Sequence, residues 1–377
     1  MMNLNETTHR VLANKIESAK SNVPLEIARM IDDAKHGRDF MIKLGHGLQT
    51  NFYNNENGVC MSTPIQDFRM HENAVNQIGG KYGISVRELN KYIKGTFSGG
   101  KEWQDEMVAH ILNEHSKHAR QERFLIRAVN DEIRGVLSDI YRILDSQIIL
   151  TEFIKVASQK GAVFSGGYYN GLKVWIEMIM PEAYQIATEN NGDVDVAFGL
   201  QARTSEYGVG MLELRGFVMN AWCANMATHE SVIHHRHVGE KLPDNFEFAH
   251  DTIIANSKKI KLEVRDYTKY LLSEGYMRNR MIQINEASKI KVDVKKEMDK
   301  LYALGFLKKE VEDTEAVLLN NRREDGVQGE STLWKLTQAI TAMAKHTEPE
   351  RERELSEIAG GMLPNLPMNK QALIYTN

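Results

Sequence analysis

Between residues 123 and 138 apolar and polar positions alternate in two short runs, RFLIRAV and EIRGVLS, separated by Asn130-Asp131. Such alternation, broken by two residues that tolerate a positive φ, predicts a β-hairpin. A two-residue turn pairs Val129 with Glu132, Arg127 with Arg134 and Leu125 with Val136. One face then carries Phe124, Ile126, Ala128, Ile133, Gly135 and Leu137, and is the buried one. The other sets Arg127 against Arg134. Like charges directly across a ladder repel unless an anion separates them. This face is therefore a candidate for binding phosphate or carboxylate, unless Glu132 or a carboxylate from elsewhere in the chain supplies the anion.

A second hairpin is expected in AVFSGGYY, Asn170-Gly171 and LKVWIEMIMP, because Asn-Gly between apolar runs is a strong hairpin signal. VDVAFGLQART and GVGMLELRGFVMN, joined by SEYG, give another strand pair. A helix over 146 to 160, closed by Gly161, lies between the first two hairpins. Six strands thus fall between 123 and 220, an antiparallel, hairpin-rich sheet of α+β type.

Before the sheet, 24 to 36 reads as an amphipathic helix with Pro24 in its first turn, and 38 to 70 as irregular strands and turns. Helical blocks follow at 72 to 82 and, capped by Ser85, at 86 to 95. A longer helix over 100 to 121 is apolar at Trp103, Met107 and Ile111, with His110, His115 and His118 on different sides. From about 246 the pattern is helical, with a basic excess between 257 and 309. The expected division is an N-terminal helix and irregular segment (1–70), an α+β core (71–245) and a mainly helical region packed on it (246–377).

With 42% hydrophobic and 26% charged residues in 377, the chain has the composition of a soluble globular protein. Its net charge of −4 confines any nucleic-acid site to a local patch. Two cysteines, Cys60 and Cys223, offer no disulfide framework, and no apolar run is long enough to span a bilayer. The start MMNLNETTHR has no leader pattern, so a cytoplasmic, unprocessed protein is expected. The 18 methionines are scattered and read as core filling.

Titratable residues are densest in THESVIHHRH, 228 to 237. A zinc peptidase helix needs His-Glu-x-x-His, and here the second histidine falls one residue late. On a strand His235 and His237 share one face, His234 and Arg236 the other. A histidine and arginine patch that meets phosphates or bases fits this better than a metal site. Glycine pairs fail on context: Gly166-Gly167 has no following lysine and Ser/Thr, and Gly208-x-Gly210 leads into a strand. No nucleophile elbow, kinase set or Cys-x-x-Cys occurs, which points away from an enzyme and calls for no cofactor. Aromatic residues interleave with basic ones instead. Tyr168 is expected opposite Lys173, Trp175 shares the Lys173 face, and Tyr141-Arg142 follows the first hairpin. Single-strand binders combine these types because bases offer π-faces and nucleotides offer phosphates.

Several segments carry a family resemblance: HENAVNQIGGKYGISVRELNKYI (71 to 93), FLIRAVNDEIRGVLSDIYRILDS (124 to 146), Gly192-Asp193 to Gly199-Leu200, SEYGVGMLELRGFVMNAWCANM (205 to 226), RHVG (236 to 239) and STLWKLTQAITAM (331 to 343). In these the chain resembles the phage and plasmid-like family called domain of unknown function 932. It departs at Thr204-Ser205-Glu206, where the family tends to have Asn-Ser-Glu, and at Cys223-Ala224-Asn225-Met226, where it tends to have Cys-x-Asn-Gly. The resemblance implies a phage, prophage or plasmid gene product, and a layout similar to that of the ring-forming single-strand annealing recombinases.

The expected function is single-stranded DNA binding and annealing by a homo-oligomer. Arg127, Arg134 and Arg142 would hold phosphates, helped by Lys173, Arg203, Arg236 and His237, with Tyr168 or Trp175 stacking bases. Two alternatives stand beside it: an interaction protein acting on a host or defence factor, and a metal-dependent hydrolase using His229, Glu230, His234 and His235.

Overall fold

The computed structural model describes residues 6–48, 51–141, 144, 146–235 and 250–364. Within them the chain is α+β, with eleven helices and two largely antiparallel sheets.

The first sheet has six strands in the order β1-β5-β6-β4-β3-β2. β5 (Glu122–Val129) and β6 (Glu132–Ser138) are the expected hairpin. β1 (Gly37–Leu44) pairs with β5, while β2 (Asn51–Asn55), β3 (Gly58–Ser62) and β4 (Asp67–Met70) extend the other edge. β4 joins β6 in parallel. Helices α2 (Glu72–Lys81), α3 (Val86–Lys94) and α4 (Gly100–Ser116) complete this lobe. Its core holds Phe52, Met61, Phe68, Ile78, Leu89, Leu112 and Ile126.

The second sheet runs β11-β10-β9-β8-β7. Its strands are β7 (Val163–Tyr169), β8 (Lys173–Thr188), β9 (Gly192–Ser205), β10 (Leu212–Asn220) and β11 (Asn225–His235). Helices α1 (Glu6–Lys35), α5 (Ser146–Gln159) and α6 (His250–Leu271) share a core with it through Val23, Phe153, Ile176, Leu200 and Val264. The remaining helices are α7 (Glu274–Lys289), α8 (Val294–Ala303), α9 (Lys308–Asn320), α10 (Leu333–Ala344) and α11 (Pro349–Gly361). The last four enclose an apolar core of their own, and Trp334 of α10 is buried against Phe198 and Val218 of the sheet. No described helix is long and apolar enough to cross a membrane.

Several expectations are corrected. The single sheet over 123 to 220 is two sheets, because β5 and β6 find better partners in β1 and β4 than in the later hairpins. The boundary at 70/71 accordingly cuts through the first lobe, whose sheet needs strands from both sides of it. The boundary at 245/246 lies outside the described residues.

The helix expected over 24 to 36 starts at Glu6 and carries Pro24 inside it. A proline in a helix interior costs about 3 kcal/mol. Leu12, Ala19, Val23 and Met30 form a buried helical stripe on both sides of it, and each large apolar side chain contributes about 1.5–3 kcal/mol on burial, which outweighs that cost. In α4 the buried stripe is Gln104, Asp105, Val108, Ala109 and Leu112, leaving Trp103 exposed. The aromatic residue therefore lies on the flank rather than in the core.

The first hairpin also has a different register. Val129 pairs with Glu132 and Ala128 with Ile133, but a β-bulge then sets Arg127 opposite Gly135 and Leu125 opposite Leu137. Arg134 is the extra residue. The bulge brings Val136 rather than Leu137 into the core of the first lobe. The outer face is not free either, since Gly135 lies against Tyr207 from the loop after β9. Asn73 and Gln77 donate to the Tyr207 carbonyl at 3.1 and 2.8 Å, fastening the lobes together.

Candidate nucleic-acid interface

Arg127 and Arg134 are not poised for an external anion. Arg127 Nε donates to Asp39 at 2.8 Å, its Nη2 is 3.2 Å from Glu206, and Nη1 donates to the Glu206 carbonyl at 2.9 Å. Burial on its own would lower the Arg127 pKa, but Glu206 and Asp39 more than offset this and raise it. Arg134 Nε donates to Glu132 at 3.0 Å, and its Nη1 donates to Asp33 and to the Gly171 carbonyl. Its side chain is 15% exposed, that of Arg127 11%. The carboxylates that neutralise the two arginines come from the chain itself.

Arg134 lines a cleft of about 400 Å³ with Arg29, Arg69, His71, Asp33 and Glu132. Arg69 faces Glu132, and Arg29 pairs with Glu26 at 3.1 Å. Burial lowers the His71 pKa. Cations and carboxylates thus balance in this cleft, and it has no excess positive charge for phosphate.

Four other candidates do come together. Tyr168 pairs with Trp175, not with Lys173, because Asn170 N–H donates to the Lys173 carbonyl and the turn falls on Gly171-Leu172 instead of Asn170-Gly171. Trp175 lies opposite Arg203, Lys173 opposite Ser205, and the Tyr168 and Trp175 ring centroids are 6.4 Å apart. Here too charges are matched: Lys173 lies 3.4 Å from Glu350 and Arg203 3.4 Å from Glu213. Arg142, Arg236 and His237 lie outside the described residues. In the histidine segment, His229 is buried within β11 and His235 Nε2 is 2.5 Å from Glu263. Burial, with Arg280 nearby, holds the His229 pKa well below its usual value, so the imidazole is neutral.

A different arrangement emerges at α2 and α3. α2 closes on a Schellman motif: Ile84 N–H donates to the Gly79 carbonyl at 2.8 Å and Gly83 N–H to Gly80 at 3.2 Å. Gly83 has φ +78°, a conformation that a side chain would strain. Ser85 then caps α3, its Oγ accepting from the Glu88 N–H at 3.1 Å, a cap that contributes about 1 kcal/mol. Two short helices are therefore joined by a tight glycine turn, the kind of connection that helix-turn-helix units use. Ile78, Ile84 and Leu89 bury the inner side, with Tyr92 and Ile93 packed at its margin.

The other side of α3 belongs to solvent. Arg87, Lys91 and Lys94 are exposed, whereas Asn90 is half-buried and accepts from Asn76 Nδ2 of α2 at 3.3 Å. Lys91 pairs with Glu88 and Lys94 with Glu72, both at 2.7 Å. Exposed pairs of this kind contribute only about 0–1 kcal/mol and exchange readily for another anion. Sequence reasoning placed both helices and the Ser85 cap but missed their combination. The signal was present in Gly83-Ile84-Ser85 between Ile78 and Leu89, at the spacing that lets two short helices share one apolar seam.

Comparison with known proteins returned nothing: no family model matches the chain, and no curated protein or solved structure is significantly similar to it.

Proposed function

We propose that this chain is a DNA-binding protein in which α3 enters the major groove. One observation carries the reading: α3 is locked to α2 by a glycine turn while its Arg87, Lys91 and Lys94 side faces solvent. At nine residues α3 is about 13 Å long, and a helix of that size fits the major groove of B-form DNA. The deep, narrow major groove of duplex RNA would exclude it. Cations on its outer side would meet phosphates.

A single-stranded ligand, the expectation from the sequence, is favoured by the shared face of Tyr168, Trp175, Lys173 and Arg203. In a phage or plasmid product either ligand suits a role in replication or recombination.

The test is fluorescence anisotropy with labelled duplex and single strands at two salt concentrations. Duplex affinity should fall with salt by a log-log slope of about 0.9 per phosphate contacted. Replacing Arg87 or Lys91 by alanine should weaken binding and reduce the slope by about one each. Duplex binding that survives loss of Arg87, Lys91 and Lys94 together would remove α3 from the interface.

A further inference from the structure

Among the described residues, one edge of the first sheet is open. β1 bounds the sheet on that side, with β5 as its ladder partner. The opposite edge, β2, is closed by α4, where Asn113 accepts from the Phe52 N–H at 2.8 Å and donates to the Phe52 carbonyl at 2.6 Å. The β7 edge of the second sheet is engaged as well, since Glu26 of α1 accepts from the Tyr169 N–H at 3.1 Å. An eight-residue edge such as β1 is a template for another strand.

Its register shows which groups it offers. Asn130 N–H donates to the His36 carbonyl at 3.1 Å, and the ladder continues with Gly37 opposite Val129 and Leu44 opposite Glu122. Antiparallel pairs alternate between bonded and non-bonded, so Arg38, Phe40, Ile42 and Leu44 turn their backbone groups to β5. The backbone groups of Asp39, Met41 and Lys43 point outward.

Side chains decide what fits there. Asp39, Met41 and Lys43 share one face, whereas Phe40 and Ile42 pack against the core of the lobe. Lys43 lies opposite Arg123, a like charge across the ladder, and no described carboxylate pairs with it. Asp39 accepts from Arg127 through Oδ1, yet its side chain is 33% exposed and open to a second cation. Lysine on an edge strand deters pairing unless the incoming strand brings an acid. The strand that does so is β1 itself. In two copies laid antiparallel with the two-fold axis through Met41, outward groups meet outward groups, and each Asp39 stands opposite Lys43 of the other copy. Phe40 then lies opposite Ile42 on the core face. Moving the axis to residue 40 or 42 keeps the hydrogen bonding but sets Asp39 against Met41 or Gly45, and both ion pairs are lost.

We infer that the protein dimerises through β1, two copies joining about Met41 so that their six-stranded sheets become one. A two-fold contact of this kind closes on itself at two copies. It stands independently of what α3 binds.

Sedimentation equilibrium of the full chain, over concentrations from below to above the micromolar range, tests this. Wild-type protein should approach twice its chain mass of 43.0 kDa. Met41→Pro removes the outward N–H at the axis and none from the β5 ladder, so it should fold and remain monomeric. Lys43→Glu sets carboxylates against each other twice across the axis while gaining Arg123 as an opposite charge within its own chain. It should weaken self-association roughly tenfold, and Lys43→Arg should restore it. Wild-type protein that stays monomeric at the highest concentration overturns the inference, as does a folded proline variant that dimerises like the wild type. If the proline variant unfolds, Lys43→Glu decides: undiminished dimerisation overturns the β1 interface, and the tenfold loss with rescue by arginine supports it.

Discussion

Leu89 of α3 fills the space into which a side chain on Gly79 of α2 would grow. The contact sets how closely the two helices approach, and with it where Arg87 and Lys91 stand. Glycine in a helix interior costs about 1 kcal/mol relative to alanine, so its presence in α2 has a packing reason. Gly79→Ala should destabilise the protein by about 1–3 kcal/mol in spite of the better helix propensity, because Leu89 must move. Leu89→Ala alone should cost about 2–5 kcal/mol. The double variant should lose less than the two single losses combined, since the smaller residue makes room for the larger. Urea denaturation of all four proteins checks this, and strict additivity would show that the two sites do not touch.

Arg127 is a structural cation. Replacing it by alanine removes a buried cation from Glu206 and from the more open Asp39, and losing charge-assisted hydrogen bonds of this kind costs about 1.5–3 kcal/mol. The expected outcome for Arg127→Ala is a lowered denaturation midpoint. A fully stable variant with a selective loss of DNA affinity would return the arginine pair to the binding site.

His229 gives stability a dependence on acid. Its imidazole is held neutral by burial, with Arg280 adding to the effect, so its folded pKa is well below 6.5. Below that ordinary value the unfolded chain takes up a proton that the folded chain refuses. The contribution is therefore complete above about pH 6.5 and declines as pH falls towards the folded pKa, by up to about 1.4 kcal/mol per pH unit. Denaturation curves between pH 8 and pH 5 should show this decline, and His229→Gln should flatten it. Equal slopes in the two proteins would assign the acid sensitivity to other groups.

Asn191 locks the segment before α10 to the β8–β9 turn. Its Nδ2 donates to the Gln328 and Glu330 carbonyls at 2.6 and 3.1 Å, and its Oδ1 accepts from Thr332 at 2.6 Å. Asn191→Ala should cost about 1–3 kcal/mol, and Asn191→Asp more, because a buried carboxylate would face two carbonyl oxygens. Thermal denaturation of both variants ranks them; an aspartate variant as stable as wild type would mean that this segment can shift away.

Much of the chain announces itself locally. Gly161 after α5 and Ser85 before α3 each fix a helix end within a few residues, and Asn170-Gly171 marks the place of a hairpin, though not its register. Pro24 misled for the same reason. Its local signal is a helix start, and only the burial of Leu12 and Ala19 carries α1 past it.

Determined by sequence alone are the α+β class, the main hairpins and the two helices that form the candidate interface. Tertiary structure decided the division into two sheets, the bulge at Arg134 and the fate of the arginines. Periodicity reports which side of an element is apolar, but not what lies against the other side. Asp33, Asp39 and Glu206 are 101, 88 and 79 residues from the arginines they meet, and such long-range pairing of charge is written in the packing of elements rather than in any local pattern.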